Sequence, residues 1–346
     1  MRFVRINNFF AGALAAWSLF ALWSCSGNNA DTPLPEETGS PLDFAVAESA
    51  SRAESASSVF EQEGTRIKVY GLYYDPTKSG FFNLFDGTVV TRTSDAWTYE
   101  PLRYWLSGFT YDFKAVYPAS LPNSAEVLFD KGEGSDCHLN INSFESDGTD
   151  LMVASERRVI VRGQETPRPA VALKFRHILS RVTFSAKTDD RYLGSDGNPV
   201  RRLRIVGFKI SGIARHGSWV GDAYGRDGSS LGKWTVADQN ESYIADIQDD
   251  GIAVGNTPVR LFDGDDIIFA IPQTFEAAQA EIEYSYTDDP SVVHSAVAEL
   301  SGAWLPGKSY SYSFTINAHI FFDTPKVDDW ISAPVNGPDL DIKLPL

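Results

Sequence analysis

The sequence predicts an all-β protein, two β-sandwiches in tandem behind a signal peptide and a flexible tether. Three observations carry this. Short strand-like runs follow one another from Arg66 onward, separated by Gly, Asp, Asn and Pro. One of them, "YSYSFTINAHI", keeps strict period two. Tyr310, Tyr312, Phe314, Ile316, Ala318 and Ile320 share one face, and Ser311, Ser313, Thr315, Asn317 and His319 share the other. That is one long strand with a buried face and a wet face. No segment of comparable length shows a convincing 3.6-residue apolar stripe; Ala277–Glu283 comes nearest and merges into a strand pattern.

The elements follow in chain order. Met1–Asn8 carries Arg2 and Arg5 and no acid, Phe9–Trp23 is almost wholly apolar, and the chain turns polar after Cys25. This is the layout of a secretory signal peptide. The apolar run of 15 residues is shorter than the roughly 20 a membrane-spanning helix needs. Leu22, Trp23, Ser24 and Cys25 resemble a bacterial lipobox, with Trp23 bulkier than usual there. The reading is a signal peptide over 1–24, cleavage between Ser24 and Cys25, and acylation of Cys25 as a lipid anchor. A tether over 25–41 follows, rich in Pro, Glu, Thr and Gly.

"LDFAVA", Leu42–Ala47, alternates and is expected to form one short strand. "ESASRAESASS", Glu48–Ser58, is polar and small, hence exposed. Strand-like runs then continue through "RIKVYGLYYD", "YDFKAVYP", "VALKF", "RVTFSA", "RLRIVGFKI", "DIIFAIP" and "EIEYSY". "VRGQETPRPA", Val161–Ala170, reads as a linker. It divides an N-terminal sandwich, 42–165, from a C-terminal one, 166–346. No internal repeat is visible.

Loss of residues 1–24 removes two arginines, so 28 basic residues would face 46 acidic ones and the net charge would go from −16 to −18. Such a chain repels phosphate backbones, which argues against nucleic acid as a partner. Acylation of Cys25 would leave only Cys137, and with it no intrachain disulfide.

Little in the sequence points to catalysis or to a bound group. "GAWLPGKS", Gly302–Ser309, matches the P-loop spacing, but a P-loop needs a helix to open at its Lys-Ser, and here a strand pattern opens. His138, His177, His216, His294 and His319 show no zinc-ligand spacing. The acidic runs Asp263–Asp266 and Asp249–Gly251 look like hairpin turns, with a calcium loop as the alternative. No nucleophile elbow or singled-out carboxylate pair is present, so no enzyme activity, cofactor or metal is expected. Trp97, Tyr99, Tyr104, Trp105, Trp219, Tyr224 and Trp234 are candidates for stacking on glycans, against the commoner role of strand aromatics as core.

Several stretches together resemble the fimbrillin-like lipoproteins, the type V pilus subunits of Gram-negative anaerobes. They are "WTYEPLRYW", "YDFKAVYP", "DLMVAS", "LKFRHILSRVTFSA", "IIFAIPQ", "WLPGKSYSYSFTI" and "VDDW", in that order over most of 42–330. The resemblance implies transthyretin-like sandwiches and export as a lipoprotein to the outer membrane or the fimbrium. It also implies assembly with other subunits, as stalk, tip or anchor, by donor-strand exchange. In that scheme an arginine-specific protease removes the first strand and a neighbour's strand fills the groove. Here the expected cut lies between Arg52 and Ala53, and the expected donor is "DLDIKLPL", with Leu340, Ile342 and Leu344 at period two. In the family pattern His177 is structural, holding a bend between "LKF" and "RVTFSA". The functional expectation is a fimbrial subunit or adhesin, with host or bacterial surface glycans or proteins as further partners. The alternative is a glycan-binding lipoprotein of a nutrient-uptake system.

Overall fold

The computed structural model describes residues 40–48, 59–130, 137–159, 168–188, 203–221, 232–247, 250–261, 267–316, 320–322 and 325–330. The described chain is all-β; its one helical turn is a 3-10 turn at Val59–Glu61.

Among the described residues, twenty-two strands form four sheets. The first contains β1 (Phe44–Glu48), β2 (Arg66–Asp75), β3 (Gly80–Arg92), β4 (Trp97–Thr98), β5 (Thr110–Tyr117), β8 (Met152–Val159) and β9 (Val171–His177), in the order β1-β9-β8-β5-β2-β3-β4. The second contains β6 (Glu126–Asp130), β7 (His138–Glu145), β12 (His216–Val220) and β13 (Lys233–Val236), in the order β13-β12-β7-β6. In the third, β14 (Glu241–Ile244), β11 (Leu203–Ile213), β18 (Gln273–Tyr286) and β19 (Asp289–Trp304) lie side by side, and β15 (Ile252–Val254) also pairs with β11. The fourth runs β16 (Val259–Arg260), β10 (Ser180–Thr188), β20 (Lys308–Ile316) and β21 (Ile320–Phe322). There β17 (Ile268–Ala270) is added to β10 and β22 (Lys326–Asp329) to β20.

The alternation in the sequence sets which faces are buried. On β10, Val182, Phe184 and Ala186 point into a core; on β20, Tyr310, Tyr312, Phe314 and Ile316 do the same. The two strands pair in parallel, Phe184 opposite Tyr312. They face Ile205, Phe208 and Ile210 of β11 and Ala280 and Ile282 of β18 across one apolar cluster. A second cluster lies on the first sheet around Phe44, Phe85, Tyr111, Phe113 and Phe175. A third takes Tyr70 and Val116 from that sheet, Leu139, Ile141 and Phe144 from β7, Trp219 from β12, and Ile178, Leu179 and Ile271.

The strand read as running unbroken from Tyr310 to Ile320 is corrected. β20 stops at Ile316, and β21 returns antiparallel to it, Ile316 opposite Ile320 and Phe314 opposite Phe322. Period two describes a hairpin as well as a single strand, because both arms alternate. Most of Val161–Ala170 lies outside the described residues. Past it, β9 adds to the first sheet, and β12 pairs with β7, which precedes it.

Candidate functional site

The segment from Ser40 to Glu48 ends the first sheet. β1 pairs in parallel with β9, from Phe44 opposite Val171 to Glu48 opposite Phe175. Val171 N donates to Asp43 O at 2.7 Å. Ahead of the strand, Leu42 N donates to Arg103 O (2.8 Å), Trp105 N to Ser40 O (3.1 Å) and Tyr99 Oη to Leu42 O (2.8 Å).

"LDFAVA" alternates as expected. Leu42 and Phe44 are buried and Val46 is half-buried, while Asp43, Ala45 and Ala47 face out. The Phe44 ring meets Phe85, Tyr99 and Phe113 edge-on, at centroid distances of 5.5, 5.6 and 6.3 Å. Full burial of Leu42 and of Phe44 stabilises by roughly 1.5–3 kcal/mol each. The segment is an apolar plug in a slot walled by β9 on one side and by 99–105 on the other. Chemically, such a slot recognises an extended chain with apolar residues two apart.

Beside the slot lies a knot built from the stretches that carried the resemblance. His177, last residue of β9, is 6% exposed, and its Nδ1 donates to the Asp150 carboxylate, 2.9 Å from one oxygen and 3.2 Å from the other. The imidazole lies flat on the Trp330 indole, with centroids 3.6 Å apart, and Phe269 stacks with Trp330 at 5.3 Å. Trp330 N donates to Gly307 O, Gly307 N to Leu179 O, and Ser180 Oγ to Leu305 O. So "DLMVAS", "FRHILS", "IIFAIPQ", "WLPGK" and "VDDW" meet in one place. His177 thus joins the end of β9 to Asp150 and Trp330.

"GAWLPGKS" is a turn between strands. Trp304 ends β19, Gly307 takes a φ of +67°, and Lys308 opens β20 and pairs with Asp329. Tyr310 Oη accepts a hydrogen bond from Leu305 N, closing the turn from beneath. No helix is there to point amides at a phosphate.

Of the candidate glycan-stacking residues, Trp97, Tyr99, Trp105 and Trp219 are buried. Tyr104 and Trp234 are half-buried, with Trp234 Nε1 donating to Ile178 O at 2.7 Å. Tyr224 lies outside the described residues. So do Ser24, Cys25, Arg52, Ala53, Leu340, Ile342, Leu344, His319 and the whole of Asp263–Asp266. Among the described residues no three His, Cys, Asp or Glu side chains gather where they could hold a metal. His138 Nδ1 meets Gly221 O at 3.1 Å and His294 stacks on Tyr284.

Two polar clusters escaped the reading of the sequence. Asp112 and Lys114, two apart on β5, lie buried with Lys114 Nζ 3.3 Å from the carboxylate and 2.7 Å from Ser155 Oγ. Burial pushes the Asp112 carboxyl up, against the pull of Lys114. Burial, with Asp112 beside it, also pushes the Cys137 thiol up to about 12, so the thiol is protonated and inert. The signal was the pattern of "YDFKAVY", where charges interrupt a strand too apolar to have a solvent face. The second cluster is Glu241, whose carboxylate accepts from Arg215 N (2.6 Å), His216 N (3.2 Å) and His216 Nδ1 (2.6 Å). Nothing local to "ESYI" announces it.

The chain is similar to known proteins along most of its length. Residues 51–330 match the fimbrillin-like family. Among solved structures, a candidate cell adhesion protein from Bacteroides uniformis is 17% identical, covering 86% of this chain and 100% of that one, with a TM-score of 0.49. Another from Parabacteroides distasonis is 8% identical, covers 86% and 98%, and has a TM-score of 0.44. The fimbrial anchor protein Mfa2 from Porphyromonas gingivalis is 14% identical, covers 84% and 97%, and has a TM-score of 0.38. No curated protein matches the chain. With 51–330 matched, this chain belongs to the fimbrillin-like family.

Proposed function

We propose that the chain is a fimbrial subunit or adhesin, exported as a lipoprotein through Cys25 and joined to neighbouring subunits by strand exchange at the β1 slot. The observation that carries the reading is the plug itself. β1 is short and lies at a sheet end, and the segment 42–46 that leads into it sends Leu42, Phe44 and Val46 inward at period two. Between β1 and β2 the sequence holds Arg52 and Ala53 in a polar, small-residue stretch of the composition that proteases favour.

A replacement is at hand in the sequence. Leu42–Val46 reads Leu-Asp-Phe-Ala-Val, and Leu340–Leu344 reads Leu-Asp-Ile-Lys-Leu. The apolar positions coincide, so Leu340, Ile342 and Leu344 of a neighbour suit the places of Leu42, Phe44 and Val46, and Pro345 ends the pairing. The division into domains at 165/166 belongs to this proposal, with β9 and the β7–β12 pair as the seam. Residence in the outer membrane or in the fimbrium follows from whether the cut at Arg52 is made.

The test is N-terminal sequencing of the protein in sheared filaments. A start at Ala53 is the expected result. A start at Cys25 in filament material would refute strand exchange through this slot.

A further inference from the structure

β9 is the wall of the slot, and its own main-chain support is uneven. Among the described residues it pairs with β1 at five positions, Val171 to Phe175, and with β8 at two, His177 opposite Met152 and Arg176 opposite Val153. Near its start Arg158 Nη2 donates to Ala170 O. Val171, Leu173 and Phe175 keep the strand on the core through their side chains. When β1 leaves, the amides of 171–175 lose the strand they pair with, and the register of β9 rests on its far end.

That far end is the His177 knot. We propose that Trp330, His177 and Asp150 act as a clamp that keeps β9 in register while the slot is empty, making them positioning residues for uptake of the incoming strand. This rests on the strand-exchange reading above. The geometry is suited to the task. The His177 ring is fixed in its plane by the flat indole at 3.6 Å and in its rotation by Asp150, which lies just ahead of β8. Trp330 is fixed in turn by Phe269 and by the hydrogen bond its N–H donates to Gly307 O, and Gly307 N donates to Leu179 O, two residues past His177. The clamp therefore ties the end of β9 to β8 and to the β19–β20 turn at once. It also makes Trp330 a fixed root for the segment from 331 onward, which carries the proposed donor residues.

The test is hydrogen exchange read peptide by peptide on the full chain, before and after cutting with an arginine-specific protease. It is run on the native protein, Trp330→Leu, Trp330→Phe and His177→Gln. A synthetic "DLDIKLPL" peptide serves as the strand probe. In the cut protein, Trp330→Leu and His177→Gln should speed exchange in 171–175 by about five- to tenfold, with β18 and β19 unchanged. Trp330→Phe, which keeps a ring in the stack, should restore most of the protection, and peptide capture should follow the same ranking. Equal exchange at 171–175 in cut native protein and cut Trp330→Leu would overturn the clamp. So would a loss spread evenly over β18 and β19, since that is general destabilisation. Failure of the cut native protein to capture the peptide would instead remove the strand-exchange reading, and the exchange rates would still decide the clamp.

Discussion

His177 lies face to face with Trp330, ring centroids 3.6 Å apart and planes 11° from parallel, while its Nδ1 holds Asp150. His177 ends β9 and Trp330 directly follows β22, so their contact closes the chain's last described strand onto its first sheet. A stacked pair of this kind contributes about 0.5–1.5 kcal/mol beyond its burial, and a hydrogen bond to a charged group about 1.5–3 kcal/mol.

His177→Ala should therefore destabilise the intact protein by about 2–4 kcal/mol, seen as a lower urea midpoint. His177→Phe keeps a stacking ring and loses only the bond to Asp150, so its cost should be roughly half. Equal costs for the two variants would show that the stack does nothing.

Phe44 is the centre of the β1 plug, so Phe44→Ala should cost about 3–5 kcal/mol while β1 is in place. Ala45→Ser, one residue on and facing out, should stay within about 0.5 kcal/mol. Thermal unfolding of the uncut protein measures both. After cleavage and departure of β1 the Phe44→Ala difference should vanish, because residue 44 has left with the strand.

Glu241 gives a signed pH dependence. Burial acts to raise its carboxyl, but the Arg215 amide first, then His216, outweigh it, and the group lies below its ordinary value of 4.5. A folded-state value below the unfolded one means stability that is present above 4.5 and is lost as pH falls through the lower folded value. The stability advantage of native protein over Glu241→Gln should thus hold from neutral pH to about 5 and shrink below it. Asp112 acts in the opposite sense: its raised carboxyl costs stability as pH rises above the unfolded value, and acid relieves it. Urea midpoints between pH 3 and 7 separate the two, since Asp112→Asn removes only the second trend.

Cys25→Ala should abolish labelling by a fatty-acid probe and move the protein out of the membrane fraction. Persistence of label in that variant would place the acyl chain on another residue and overturn the assignment to Cys25.

Local pattern determined a good deal here. The alternation of Tyr310, Tyr312, Phe314 and Ile316 named the inward residues of β20, and that of "LDFAVA" was the period of the plug, because strand side chains alternate whatever the neighbour is. The turn at Pro306–Gly307 could be told from a phosphate loop for the same local reason. What period two cannot express is which strand lies alongside. That β1 is held by β9 and that β12 joins β7 were decided by pairings between distant parts of the chain. So was the return of β21 along β20, which leaves the alternation of each arm unchanged. The same holds for side chains whose partners are far away. His177 stood in the sequence without a partner, and only folding brought Asp150, Trp330 and Phe269 around it, because stacking and a buried carboxylate act through space and leave no spacing to read.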